Sequence, residues 1–141
     1  MENINALDEI HKGACMGIDA INIILDIVED ESLIKELNDE LNDYRITAEK
    51  IEKIYPKYDE GSPHGTNGVN KAMTWSTIEM KTMNDKSNSK IAEILLNGIN
   101  MGIIEGTRIL NNKKTNEEVT KIVEEYVAMQ EKNLDNVKKY L

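Results

Sequence analysis

The chain contains no phenylalanine, one tryptophan, one cysteine and two prolines. With Cys15 alone, no intrachain disulfide is possible, and the expectation is a cytoplasmic protein. Pro56 and Pro63 are the only residues of the kind that breaks helices, so long stretches are free to be helical. Basic residues are also scarce: 17 Lys and Arg stand against 26 Asp and Glu, a net charge of −9 and a pI near 4.8. Nucleic acids and anionic membranes are held by basic faces, so neither is expected as a partner. No apolar run reaches the roughly 18 residues of a membrane-spanning helix. Met1-Glu2-Asn3-Ile4-Asn5 lacks the basic start and the following apolar stretch of a secretory leader.

What is abundant is Ile, Leu, Glu, Lys and Asn, spaced at 3 and 4 residues. The 141 residues suffice for one domain with a real core. The first helix is expected over about residues 5–28, capped by Asn5. Its stripe is Ile4, Leu7, His11, Ala14, Ile18, Ile21, Leu25 and Val28, flanked by Ile10, Gly13, Gly17 and Ile24. A second helix, about 31–55, follows from Asp30 or Ser32 and carries Ile34, Leu37, Leu41, Tyr44, Ala48, Ile51 and Tyr55. Glu36, Asp39, Glu40, Asp43 and Lys50 read as its solvated face. Pro56 stops it. Residues 57–68 concentrate Gly, Pro, Ser and Asn and form a loop. A short helix, about 69–83, places Val69, Met73, Ser76, Met80 and Met83 on one face, expected to pack as core or lid. The fourth helix spans about 89–110. The fifth opens at a T-x-x-E capping box, Thr115 to Glu118, and carries Val119, Ile122, Val123, Tyr126, Met129, Leu134, Val137 and Leu141. The chain thus divides into a hairpin (5–56), a crossover (57–88) and a second hairpin (89–141), all within one domain.

The pattern G-x-x-M-G-I occurs twice, at Gly13–Ile18 and at Gly98–Ile103, offset by 85 residues. The flanking stripes superpose at the same offset, so the hairpins read as degenerate copies of one unit. Each glycine in a helix costs about 1 kcal/mol relative to alanine, so Gly13, Gly17, Gly98, Gly102 and Gly106 must be offset by something. Close packing of the first and fourth helices, antiparallel, with Gly13 facing Gly102 and Gly17 facing Gly98, is the plainer account. Room for a ligand between helices, with Gly13, Met16, Gly17, Gly98, Met101 and Gly102 as its lining, is the sharper one.

Two antiparallel hairpins joined by a long crossover resemble the ferritin-like superfamily. His11-Lys12-Gly13-x-x-Met16-Gly17-Ile18-Asp19 and Asp85-Lys86-Ser87-x-Ser89-x-Ile91-Ala92-Glu93 resemble, more narrowly, the small bacterial ferritin-like proteins known as domains of unknown function. The resemblance covers essentially the whole chain and implies a four-helix bundle with an extra short helix in the crossover. It also implies iron or oxygen chemistry at a di-iron centre. That centre needs a mid-helix Glu on two helices and Glu-x-x-His on the other two, and no Glu-x-x-His occurs here; Asp8-Glu9-Ile10-His11 is the nearest approach. No metal residues are therefore carried over, and no resident cofactor is expected.

Of the remaining reactive groups, His11 is expected to be partly buried and bonded to Glu49 or Glu52 across the hairpin, His64 to be an exposed loop histidine, and Cys15 to be unreactive for want of positive neighbours. Asp19 and Glu105 lie at the edges of their stripes and diverge from the midpoint, which argues against an acid–base pair. The favoured reading is a non-catalytic binding or interaction protein, self-associating as a homodimer. A small-ligand protein using the glycine crossing, and a metal-dependent oxidase, are the alternatives.

Overall fold

The computed structural model describes residues 2–141, which form five α-helices and one 3-10 turn: α1 (Glu2–Leu25), α2 (Glu31–Ile54), the turn Tyr55–Lys57, α3 (Gly68–Thr82), α4 (Asn88–Asn112) and α5 (Glu117–Lys138). Among the described residues no helix is long and apolar enough to cross a membrane. Side-chain caps open four of the helices. Asp30 accepts from the Leu33 amide at 2.9 Å, Asn67 from Asn70 at 2.9 Å, Ser87 from Lys90 at 3.2 Å and Asn116 from Val119 at 2.9 Å.

Two of the expected starts need correction. α1 is already helical at Glu2, so Asn5 lies inside it rather than capping it. The capping box at Thr115 does not form: Asn116 is the cap, and Glu118 turns away to Lys57 at 3.0 Å and to the Tyr58 hydroxyl at 2.8 Å. A flanking asparagine one residue closer to the helix simply presents the better acceptor. Asn116→Ala is expected to cost about 1 kcal/mol in urea unfolding, whereas Thr115→Val should cost less than half of that.

The four long helices run antiparallel in the pairs α1–α2, α1–α4, α4–α5 and α2–α5. Lys113 on the far side of α4 meets Glu9 near the start of α1 at 3.9 Å, and Asn88 at the start of α4 donates to Asp30 beyond the end of α1 at 3.1 Å. Between α2 and α5, Lys57 pairs with Glu118 at 3.0 Å and Lys132 with Asp43 at 3.4 Å. The second helix therefore ends where α1 begins, and α4 begins where α1 ends. The crossover must travel the length of the bundle, and α3 does so across α1, touching α4.

The core is one continuous cluster with Leu7, Ile10, Ile21 and Ile24 of α1, Leu33, Leu37 and Ile51 of α2, Ile91 and Ile109 of α4 and Val119, Val123 and Val137 of α5. The outward face of α3 is a third correction. Val69, Met73, Met80 and Met83 all point to solvent, as does Trp75, and only Ile78 and Thr82 of this helix are buried. Ile78 and Thr82 lie on the side of the helix opposite the methionine stripe, so α3 docks by its less apolar side.

Candidate functional site

The two glycine stretches come together, but not on each other. A Cβ added to Gly17 would lie 2.7–2.9 Å from three ring atoms of Tyr44, and one added to Gly13 would lie 2.8 Å from the hydroxyl of Tyr126. Gly102 is filled by the same Tyr126 hydroxyl at 3.1 Å and by the Gln130 amide, and Gly106 by Val127. The glycines are seats for side chains arriving from α2 and α5. No atom of α4 lies within 4 Å of the Cβ position at Gly13, and nothing at all within 4 Å of that at Gly98. The expected backbone-to-backbone contact between α1 and α4 is thus replaced by a pair of tyrosines and an opening.

That opening is a cavity of about 170 Å³ between α1 and α4. All six residues singled out at the sequence level, Gly13, Met16, Gly17, Gly98, Met101 and Gly102, line it. Met16 and Met101 form its solvent-exposed rim, and Thr74 of α3 borders it. A groove with mixed charge, including Lys12, Arg108, Glu2 and Glu9, continues from it toward the start of α1.

The floor is polar and connected. Tyr44 donates from its hydroxyl to Oε1 of Gln130 at 2.8 Å, and Nε2 of Gln130 donates to the Tyr126 hydroxyl at 3.0 Å. Gln130 is 1% exposed, and its amide joins the two phenols by one bond at each end. Burial pushes both tyrosines up, Tyr126 to about 12 with help from Glu105, so each keeps its proton.

Beside them sits Glu40, 1% exposed and lining the cavity, with no hydrogen-bond partner at Oε2. Burial, reinforced by a side-chain hydrogen bond to Glu36 and by the charges of Glu36 and Asp43, pushes its carboxyl up to about 10, which favours the neutral acid. Its expected place on a solvated face was wrong for a readable reason: Leu33, Leu37, Glu40, Tyr44, Ala48, Ile51 and Tyr55 recur at steps of 3 and 4, so Glu40 occupies a core position of that stripe. Gln130 and Asn133 do the same on α5, in the run Val119, Val123, Tyr126, Gln130, Asn133, Val137. Reading Met129 and Leu134 as the inward residues hid them. Neither side-chain polar atom of Asn133 has a partner. The register that pairs Asp43 with Lys132 and Tyr44 with Gln130 sets Asn133 at the height of Glu40.

A second polar cluster ties the loop to α1. Nδ1 of His11 donates to the carbonyl of His64 at 2.6 Å, and Nε2 meets Glu52 at 3.0 Å, one of the two carboxylates expected for it. Asp8 accepts from the Tyr55 hydroxyl and from the His64 amide, both at 2.9 Å, while the His64 ring stays exposed. Thr66 donates to Asp19. Cys15 lies 3.7 Å from Nδ1 of His11, but that nitrogen is already committed to the carbonyl, and burial raises the thiol above its ordinary range. The trio Cys15, His11 and Glu52 therefore lacks a free base and an activated nucleophile. The cluster is a clasp for the loop.

The donor set required by a di-iron centre does not fit. Glu40 and Glu105 are the only carboxylates on the cavity wall and no imidazole reaches it. No group of three or more His, Cys, Asp or Glu suited to a metal ion occurs among the described residues. No family model, curated protein or solved structure matches the chain.

Proposed function

We propose that this protein is a non-catalytic bundle of ferritin-like arrangement that binds a small, largely apolar molecule between α1 and α4. One observation carries the reading: a cavity of about 170 Å³, walled mostly by apolar side chains and glycines, lies between α1 and α4 over the Tyr44–Gln130–Tyr126 network. A largely apolar wall with a few convergent polar groups suits a molecule with an apolar body and one polar end. The volume is similar to engineered cavities of about 150 Å³ that take up benzene. The antiparallel hairpins and the lengthwise crossover support the ferritin-like kinship.

The cavity reading is tested by thermal shift and calorimetry with benzyl alcohol, benzylamine and benzoate as probes. At least one is expected to bind and raise the melting temperature, with Gly98→Leu, which fills the open space at Gly98, abolishing the effect. Failure of all three to bind would remove the reading.

A second reading, self-association as a homodimer, is favoured by the outward methionine face of α3. Light scattering on the eluting protein should give twice the chain mass, and Met73→Lys with Met80→Lys should return it to the monomer. A monomer at all concentrations would end this reading.

A further inference from the structure

Among the described residues, half of the large apolar side chains that are exposed belong to α3 or its C-cap: Val69, Met73, Trp75, Met80 and Met83. Val69, Met73, Ser76, Met80 and Met83 succeed one another at steps of 4, 3, 4 and 3. That is the two-in-seven spacing of a seam between helices. The face holds to its end, because Met83 keeps helical backbone angles, φ −54° and ψ −44°. Ser76 is exposed with the others. Helix α3 rests on α1 and α4 with Ile78 and Thr82 buried, so the whole seam looks away from the bundle.

The seam reads alike from both ends. Val69 and Met83 each lie seven residues from Ser76, while Met73 lies three and Met80 four. A small residue at the centre thus has two large apolar ones on either side. A strip with this symmetry is complementary to itself, as a two-fold interface requires. Charge points the same way. The chain carries a net −9, so two copies repel over most of their surface. Helix α3 is the one α-helix in which basic residues outnumber acidic ones, Lys71 and Lys81 against Glu79. Asn70, Ala72, Thr77, Glu79 and Asn84 border the seam, so a single charge stands beside it. In a parallel pair the two Glu79 side chains would share one height. In an antiparallel pair each Glu79 moves toward the Lys71 end of the other helix, the positive end of its dipole.

We propose that α3 pairs with α3 of a second copy of this chain, antiparallel, about a two-fold axis passing near Ser76. This inference rests on the homodimer reading above and assigns it an arrangement. The two Ser76 residues meet at the centre, and Val69 of each chain lies near Met83 of the other. The two Val69 residues are then about 21 Å apart along the helices, the rise of fourteen residues.

Single thiols read that arrangement. Each is placed in a Cys15→Ser background, so that it stands alone, and treated with a short bismaleimide. Ser76→Cys is expected to convert most of the chain into a covalent dimer. Val69→Cys and Met83→Cys should each stay single when treated separately and should join when mixed. Lys121→Cys, exposed on α5, should stay single. Val69→Cys and Met83→Cys each linking to themselves would mean a parallel pair. A dimer by light scattering in which Ser76→Cys fails to link would place the contact elsewhere. Either result would overturn this arrangement and leave the homodimer reading standing. A monomer at every concentration, measured on the unaltered protein, would overturn both.

Discussion

Glu40→Gln is expected to abolish most of the pH dependence of stability between pH 5 and pH 9. In the unfolded chain this carboxyl ionises near its ordinary value of 4.5, whereas in the fold it is pushed up to about 10. Between those values the folded state holds a proton that the unfolded state has lost. Stability is therefore full below about pH 4.5 and declines as pH rises, by at most about 1.4 kcal/mol per pH unit for one such group. By pH 9 the accumulated loss is on the order of 6 kcal/mol, comparable with the net stability of many small domains. Glutamine has the shape of the protonated acid and no charge to lose. The variant should match the parent near pH 5 and exceed it progressively above pH 7, as read from urea unfolding at several pH values. Parallel profiles for the two proteins would mean that Glu40 is ionised in the fold.

Gly17→Ala and Gly98→Ala should move stability in opposite directions, although both exchange a helical glycine for the best helix former. At Gly17 the new methyl group would meet Cζ, Cε1 and Cε2 of Tyr44 at 2.7–2.9 Å. The ring cannot easily retreat, because its hydroxyl is tied to Gln130 at 2.8 Å. Overpacking of this kind costs about 1–3 kcal/mol, which exceeds the helix-propensity gain of about 1 kcal/mol. At Gly98 the methyl group meets nothing within 4 Å and projects into open space, so the propensity gain stands alone. Urea midpoints should fall for the first variant and rise for the second. Tyr44→Leu should relieve the clash at position 17 and make the double variant less impaired than the sum of its parts. Equal responses at both positions would mean that the glycines are not distinguished by what sits against them.

Much of the architecture was legible in the sequence because it follows from spacing alone. The five helices, the short α1–α2 and α4–α5 connections and the stop at Pro56 follow from apolar period and punctuation, while the antiparallel course of α1 and α4 is read from the repeat and the length of the crossover, against an up-down bundle as its rival. The cross-hairpin bond from His11 to Glu52 follows from register. What could not be read was the identity of the neighbour at each glycine. Periodicity gives the face a residue is on, and it is silent on which of two other helices sends a side chain there. The offset of 85 residues suggested that glycine would meet glycine, but Tyr126 fills the place of Gly13 and no residue fills the equivalent place at Gly98. The symmetry of the two hairpins is broken at that point, and the cavity is the result. Glu40, Gln130 and Asn133 were hidden by a habit of assigning polar residues to water even when their spacing is that of the core. The α3 helix misled in the other direction, because a methionine stripe was assumed to be covered.

The course of the crossover has a consequence for how the interior is reached. Helix α3 lies along the α1–α4 side, bordering the cavity through Thr74, and its loop is clasped to α1 by Asp8 and His11. The opposite side of the bundle, between α2 and α5, is crossed by charge pairs such as Lys50 with Glu125 at 3.2 Å. The four long helices make the room and, through Met16 and Met101, its rim, while Thr74 of α3 borders it from outside the bundle. A ligand held as proposed would be gripped by the long helices and would pass a segment whose sequence is free to change without them.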